Sequence, residues 1–380
     1  MIKVAHVCTS AVSHKILVDK LDLLMEKGYE IYLISSNEGL NKEYIRHSKI
    51  KFRYIDMNRK INPIDDIKSI THLSKLFKKE KFDVVHTHTA KAGILGRVAA
   101  SIAKIPLIIH TSHGLPFYEG QPRLKYKLYS SYERLGAKFS HALASQNEED
   151  ISKIKGYASN KPVFYEGNGI DINKLDTINT DINDSILDEY RKKYNIDIDT
   201  KVIFMGARFE PIKDHEMLIK ALSFFKKNTK QKFVCLLAGE GPLRRYIEEK
   251  INTYNLKDEV KIIGFQKNVY PLIKMSDIIC LTSKKEGIPR IIMESMSFRK
   301  PVVATNVLGT KELVSHNSSG ILVEYGDSKG MAEAIEKVFE SSTLAKEFGL
   351  QGRNIITNKF TEQIVVNRID KIYKKMLKEN

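Results

Sequence analysis

Cysteine is scarce in this chain of 380 residues. Cys8, Cys235 and Cys280 each sit inside an apolar, strand-like run and share no metal-ligand spacing, so they are expected as buried core thiols. Long hydrophobic runs are missing as well. The longest, such as Pro106-Leu107-Ile108-Ile109, are far too short to span a bilayer, and no signal-like apolar segment opens the chain. The expectation is a protein that stays in the cytoplasm. No Gly-x-Gly-x-x-Gly follows the first strand-like run, which disfavours a dinucleotide-dependent dehydrogenase. Internal repeats and low-complexity tracts are also absent.

What is present fits a folded chain of two domains. The composition, 42% hydrophobic and 28% charged, is that of a globular protein, and the length exceeds what one core serves efficiently. Lys and Arg outnumber Asp and Glu by 62 to 46, a formal net charge of +16, so the chain attracts something acidic. No nucleic-acid-binding signature accompanies the charge, and the lysines are spread along amphipathic helices rather than gathered in one arm. Nucleic acid is therefore not expected as a partner.

The apolar pattern alternates between strand and helix. Ile2–Cys8 leads into a helical face of Ile16, Leu17, Leu21, Leu24 and Met25, and a strand follows over Glu30–Ser35, the rhythm of a parallel sheet. Further strands are expected near 52–56, 82–87, 106–111, 141–145 and 162–166, with helices over 64–80, 91–103 and 123–137. Residues 171–200 are rich in Asp and Asn with little strand character and read as a connection. A second rhythm follows, with strands near 201–206, 232–238, 260–263, 277–282, 301–305 and 320–323. The expected organisation is an α/β chain: a Rossmann-like unit over 1–170, the connection 171–200, a second Rossmann-like unit over 201–360, and an amphipathic helix over 361–380 that returns to the first unit.

In doubly wound sheets ligands sit outside the carboxyl ends of the strands, and the motifs fall at such ends. Glu286-Gly287-Ile288-Pro289 and then Glu294 follow the strand at 277–282. Gly287 and Pro289 shape a turn whose backbone N–H groups, with those around Ile288, open toward a helix start that suits phosphate. Glu286 on the turn can face a reacting sugar, and Glu294 on the helix can accept hydrogen bonds from a ribose diol. Arg208 and Lys213 follow the first strand of the second unit where it turns into its helix, and there a guanidinium fork and a point charge suit a diphosphate. Gly264 and Phe265 close another strand and could seat a base, although Phe265 reads more readily as core. Gly309 and Thr310 lie on a further strand-to-helix turn that suits phosphate.

Together these motifs resemble the family-4 retaining glycosyltransferases of the two-domain GT-B fold, over nearly the whole chain. The Glu-x7-Glu pattern is matched by Glu286 and Glu294, the Arg-x4-Lys pair by Arg208 and Lys213, and the Ala-Gly-Glu-Gly-Pro-Leu signature by 238–243. The resemblance implies a nucleotide-sugar donor in the second unit, of the UDP-N-acetylhexosamine type. It also implies an interdomain cleft and a histidine, His113, that faces the donor sugar. Transfer would proceed with retention, without cofactor or metal, onto a lipid-linked acceptor such as a polyprenyl-diphosphate saccharide, in surface or capsular polysaccharide synthesis. The alternatives are a nucleotide-sugar epimerase of similar fold and a non-catalytic donor- or lipid-binding subunit.

His86 and His88, typical of the same family, are read as pointing to opposite faces of their strand, a poor metal pair within a lattice of hydrogen bonds. Asp197 and Asp199 read as solvated loop. Thr9–His14 departs from the adjacent glycines that many relatives carry after the first strand, and Leu308 departs from the paired glycines beside Gly309. The basic and aromatic stretch 117–134 suits an anionic membrane surface and a peripheral location on the inner face of the cell membrane. Its plainer reading is a helix with Leu124, Leu128 and Leu135 turned to the core.

Overall fold

The computed structural model describes residues 1–41, 48–58, 62–118 and 120–379. Glu119 and Asn380, within stretches named above, lie outside them. The chain forms two compact units, Met1–Asn168 with Glu362–Asn380, and Gly169–Thr361.

In the first unit the aliphatic runs become β1 (Ile2–Ser10), β2 (Tyr29–Ser36), β3 (Lys51–Tyr54), β4 (Val84–His88), β5 (Leu107–Ser112), β6 (Ala142–Ser145) and β7 (Val163–Tyr165). They form one seven-stranded sheet in the order β3-β2-β1-β4-β5-β6-β7, and all its pairings are parallel. Every residue of β4 and β5 is buried, as it must be where helices cover both faces of a parallel sheet. The crossovers are α1 (His14–Glu26), α2 (Pro63–Glu80), α3 (Ala90–Ile102), α4 (Arg123–Lys138) and α5 (Glu148–Lys155). Start signals are local: Asn62 accepts from the amide of Ile64 and Pro63 occupies the first turn of α2.

The second unit opens with α6 (Ile172–Asp181) and α7 (Asp184–Lys193). The stretch 171–200, expected as a connection with little strand character, folds here as two helices. The Asp and Asn that signalled loop are caps: Asp171 accepts from the amide of Lys174, and Asn183 from that of Ile186. Ile172, Ile178, Leu187 and Tyr190 pack on the core of the unit. Asp197 and Asp199 are exposed, as a solvated loop requires.

Six parallel strands follow: β8 (Lys201–Gly206), β9 (Phe233–Ala238), β10 (Val260–Gly264), β11 (Ile278–Leu281), β12 (Val302–Thr305) and β13 (Gly320–Val323), in the order β10-β9-β8-β11-β12-β13. They alternate with α8 (His215–Asn228), α9 (Arg244–Thr253), α10 (Tyr270–Met275), α11 (Arg290–Ser297), α12 (Thr310–Leu313) and α13 (Ser328–Glu340), and α14 (Ser342–Lys359) closes the unit.

The C-terminal helix, Glu362–Glu379, returns to the first unit as expected. Its Val365, Val366, Ile369, Tyr373 and Met376 share a core with Leu17, Leu21 and Leu24 of α1. Cys8, Cys235 and Cys280 are buried free thiols. No described helix is long and apolar enough to cross a membrane. In both sheets the strand order reverses beside the first strand, between β1 and β4 and between β8 and β11. The carboxyl ends of those strands are where doubly wound sheets hold ligands.

Candidate functional site

In the second unit, the loops after β8, β11 and β12 are tied together by their own backbones. Lys284 N–H donates to Ile212 at 2.8 Å and Glu286 N–H to Leu308 at 3.3 Å. The hydroxyl of Thr282 donates to the carbonyl of Asp214 at 2.9 Å, and that of Thr305 to the carbonyl of Ser283 at 2.6 Å. Asp214, in the left-handed region at φ 42°, caps α8 with its carboxylate.

These ties bring Lys213 and Glu286 together at 2.5 Å, Nζ to Oε1. The Ser283 hydroxyl donates to the same carboxylate oxygen at 2.5 Å. The Glu286 side chain is 9% exposed and that of Lys213 18%, so a small accessible surface carries one strong cation and one strong anion. Short, charge-assisted bonds of this kind hold geometry well.

Gly309 supports the cluster from below. It has φ +81°, and a Cβ there would lie 1.3 Å from the carbonyl oxygen of Gly287. No side chain fits, so the loop after β12 can lie flush against the Glu286 turn. Leu308, the departure from paired glycines, supplies the carbonyl that Glu286 N–H binds. Thr310 is fully buried, and its hydroxyl has no hydrogen-bond partner among the described residues.

Ile288 is buried on the turn beside Gly287. Glu294, one helix further along on α11, is buried and accepts from Arg290 Nε at 2.9 Å. Arg208 extends outward, 69% exposed, and pairs with Glu210 at 2.7 Å. Gly264 ends β10 at φ +71°, and its carbonyl accepts from Gly239 N–H at 2.9 Å. Phe265 is 72% exposed, which overturns its reading as core. The bend at Gly264 turns the next side chain outward, where an aromatic face is left free.

In the first unit, His113 follows β5 and is half-buried. Its Nε2 lies 3.0 Å from Nδ1 of His88. The structure corrects the expectation that His86 and His88 point to opposite faces. Side chains two residues apart on a strand share a face, and the two rings stack at 4.5 Å. His6 of the neighbouring β1 joins them, its Nδ1 2.9 Å from Nε2 of His88. One ligand nitrogen from each of the three lies within 4.8 Å of the others, so the spacing also suits a metal. Burial pushes His86 down to about 4 and His113 to about 3, and His6 and His88 fall too. All four rings are neutral at pH 7.

Sequence reasoning missed Glu166, which is fully buried beside this cluster and bonded to Thr111 at 2.5 Å and to Lys20 at 3.1 Å. Burial, the largest single influence, would raise its carboxyl, but Lys20, His86, the Thr111 hydroxyl and His113 together outweigh it and hold it down at about 2. Lys20 carried a signal, as a lysine between Leu17 and Leu24 on an otherwise apolar face.

The plainer reading of the stretch 117–134 also fails. Leu124 is 81% exposed, and Leu128 and Leu135 are exposed with it. Helix α4 instead buries Glu133, Gly136 and Ala137. Glu133 reaches Arg97 of α3 at 3.3 Å, and Gly136 leaves room for the same guanidinium. The leucines therefore form a stripe among Arg123, Lys125, Lys127 and Arg134 that no described residue of the unit buries.

Two doubly wound parallel sheets with a C-terminal helix returning to the first define the GT-B architecture, and a lysine–glutamate pair at the carboxyl edge of the second is where such a fold would hold a ligand. Residues 4–147 match the family described as "Glycosyl transferase 4-like" and residues 187–355 that of "Glycosyl transferases group 1". The chain is 32% identical to the UDP-Gal:alpha-D-GlcNAc-diphosphoundecaprenol alpha-1,3-galactosyltransferase of Escherichia coli, over 98% of this chain and 95% of the relative. It is 26% identical to the capsular polysaccharide biosynthesis glycosyltransferase CapM of Staphylococcus aureus, over 100% of this chain and 98% of that one. The crystal structure of Anabaena HepE with UDP and glucose matches the fold at a TM-score of 0.82 and 19% identity, covering 99% of this chain and 100% of that one. The chain belongs to the family-4-like glycosyltransferases of the GT-B fold.

Proposed function

We propose that this chain transfers a hexose or N-acetylhexosamine from a UDP-sugar to a polyprenyl-diphosphate-linked saccharide, with retention at the anomeric carbon, in surface polysaccharide synthesis. The observation that carries the reading is the Lys213–Glu286 pair, fixed by three loops at the carboxyl edge beside the strand reversal. The E. coli relative's name supports the nucleotide and the lipid-linked acceptor, and the HepE structure supports UDP.

In this reading Lys213 and Arg208 take up charge on the departing diphosphate, so that no divalent cation is called on. The exposed position of Arg208 lets it swing from Glu210 to a phosphate, and that of Phe265 leaves its ring to flank the base. Glu294 accepts from the ribose. The Glu286 carboxylate stabilises positive charge as it grows at the anomeric carbon, and in the first unit His113 receives a hydroxyl of a bound saccharide. Fixed charges aimed where charge develops are the largest catalytic lever such a site has. The leaving phosphate then takes the acceptor proton on the face it vacates.

The basic helix α4 supports a location on the inner face of the cell membrane. Its stripe of Leu124, Leu128 and Leu135 supplies apolar area and its flanking cations attract anionic lipid.

Glu286→Gln tests the chemistry. It should lower transfer by about a hundredfold or more while UDP still raises the melting temperature as in the parent protein. Turnover equal to the parent would remove Glu286 from the reaction.

A further inference from the structure

From Glu166 through Thr111, His86, Tyr373, His6 and His88 to His113, seven polar groups of the first unit form one unbroken chain of hydrogen bonds, and its proton directions follow from its ends. Glu166, ionised beside Lys20, can only accept, so the single proton of Thr111 points to it across 2.5 Å. Thr111 must then accept from His86 Nε2 at 2.7 Å. A neutral His86 with its proton on Nε2 has a lone pair on Nδ1, which takes the Tyr373 hydroxyl proton at 2.6 Å. The Tyr373 oxygen accepts from His6 Nε2 at 3.3 Å. His6 Nδ1 accepts from His88 Nε2 at 2.9 Å, and His88 Nδ1 from His113 Nε2 at 3.0 Å. In a neutral imidazole one nitrogen donates and the other accepts, so each link dictates the next.

We propose that Glu166 and Tyr373 are positioning residues: through Thr111, His86, His6 and His88 they fix His113 as the Nε2–H tautomer, leaving its Nδ1 a proton acceptor for a ligand hydroxyl. The proposal rests on the reading of His113 as a sugar contact given above. It accounts for a carboxylate, a threonine, a tyrosine and four histidines in an interior where each uncompensated polar group would be costly. It also gives the C-terminal helix a task, because Tyr373 bridges His86 on β4 to His6 on β1. The competing use of His6, His86 and His88, a bound metal, would require His6 Nδ1 and His88 Nε2 to give up the proton they share.

The test is a long-range 1H–15N correlation spectrum of the full chain with ring-15N-labelled histidine, His113 being assigned by its loss in His113→Gln. The parent protein should show His6, His86, His88 and His113 protonated on Nε2. Tyr373→Phe, which removes one oxygen and keeps the ring, should split His113 between two tautomers and lower kcat/KM about tenfold, equal to about 1.4 kcal/mol. Val366→Ala, a core change in the same helix away from the chain of bonds, should lower the melting temperature and leave both readouts alone. His113 protonated on Nδ1 in the parent, an unchanged tautomer in Tyr373→Phe, or a stoichiometric metal in the purified protein would each overturn the proposal. If the tautomer shifts as expected while His113→Gln turns over normally, the relay stands and the sugar-contact role of His113 falls.

Discussion

The two units are built on one plan, yet their interiors differ in kind. The second has a single continuous apolar core running from α6 to α14, and its buried carboxylates, Glu286 and Glu294, lie on the turn and helix that follow β11. The first divides its apolar residues among three clusters and draws polar groups inside. Lys20–Glu166 and Arg97–Glu133 are ion pairs with both side chains almost wholly enclosed. His6, His14, His86, His88 and His110 are buried in the first unit, His215 in the second. The same architecture can therefore be held mainly by dispersion and apolar burial, or by satisfied polarity at greater risk. A buried polar group stabilises only while every partner is in place.

The sharpest way to break this comparison is Lys20→Met, which leaves Glu166 buried without its cation. It should cost the first unit about 3–5 kcal/mol, seen as faster hydrogen exchange in its peptides, with those of the second unit unchanged. Equal losses in both would show that the two interiors do not differ as described.

Mild acid should separate the units next. The folded value of about 4 for His86 lies below the unfolded value near 6.5. Stability is therefore fully present above pH 7 and falls as pH drops through that window, by about 2 kcal/mol at pH 5 from His86 alone. His6, His88, His110 and His113 are lowered too and act with the same sign. In the second unit only one buried histidine, His215, held at about 4 by burial and then by Lys213, acts the same way among the described residues. Hydrogen exchange at pH 7 and pH 5 should show the first unit losing more protection than the second.

Gly309→Ala probes the edge of the second unit rather than its core. The added carbon meets the Gly287 carbonyl and an unfavourable φ, so it should cost about 1–3 kcal/mol and displace the Glu286 turn. Transfer should fall much further than the melting temperature does. The smallest stability effect belongs to Leu128→Ser on the exposed stripe of α4, within about 0.5 kcal/mol of the parent. Liposomes carrying anionic lipid should nevertheless recruit the variant less well in flotation. Parent protein that binds no liposome would dispose of the membrane reading.

The strands were legible because buried parallel strands open on short β-branched runs such as Val84-Val85 and Val302-Val303, spaced by helical patterns. The helices at 172–193 were not. Their apolar residues are sparse, and Asp171 and Asn183 mark helix starts with the same residues that mark loops. The carboxyl-edge motifs could be found in sequence because their glycines and charges lie close together along the chain. Glu166 and Tyr373 could not, since what unites them with His86 is a sheet and a helix contributed from opposite ends of the chain. Phe265 and the α4 leucines misled for one reason: an apolar side chain is counted as core until a structure shows nothing covering it.

The return of the last helix has a consequence for synthesis. On the ribosome, the first sheet emerges long before Tyr373, and the entire second unit must be made in between. Until then His86 and His6 lack the hydroxyl that bridges them, and the apolar face of α1 lacks its cover. The second unit can settle as soon as its own residues are out, so the domain begun first is the one finished last.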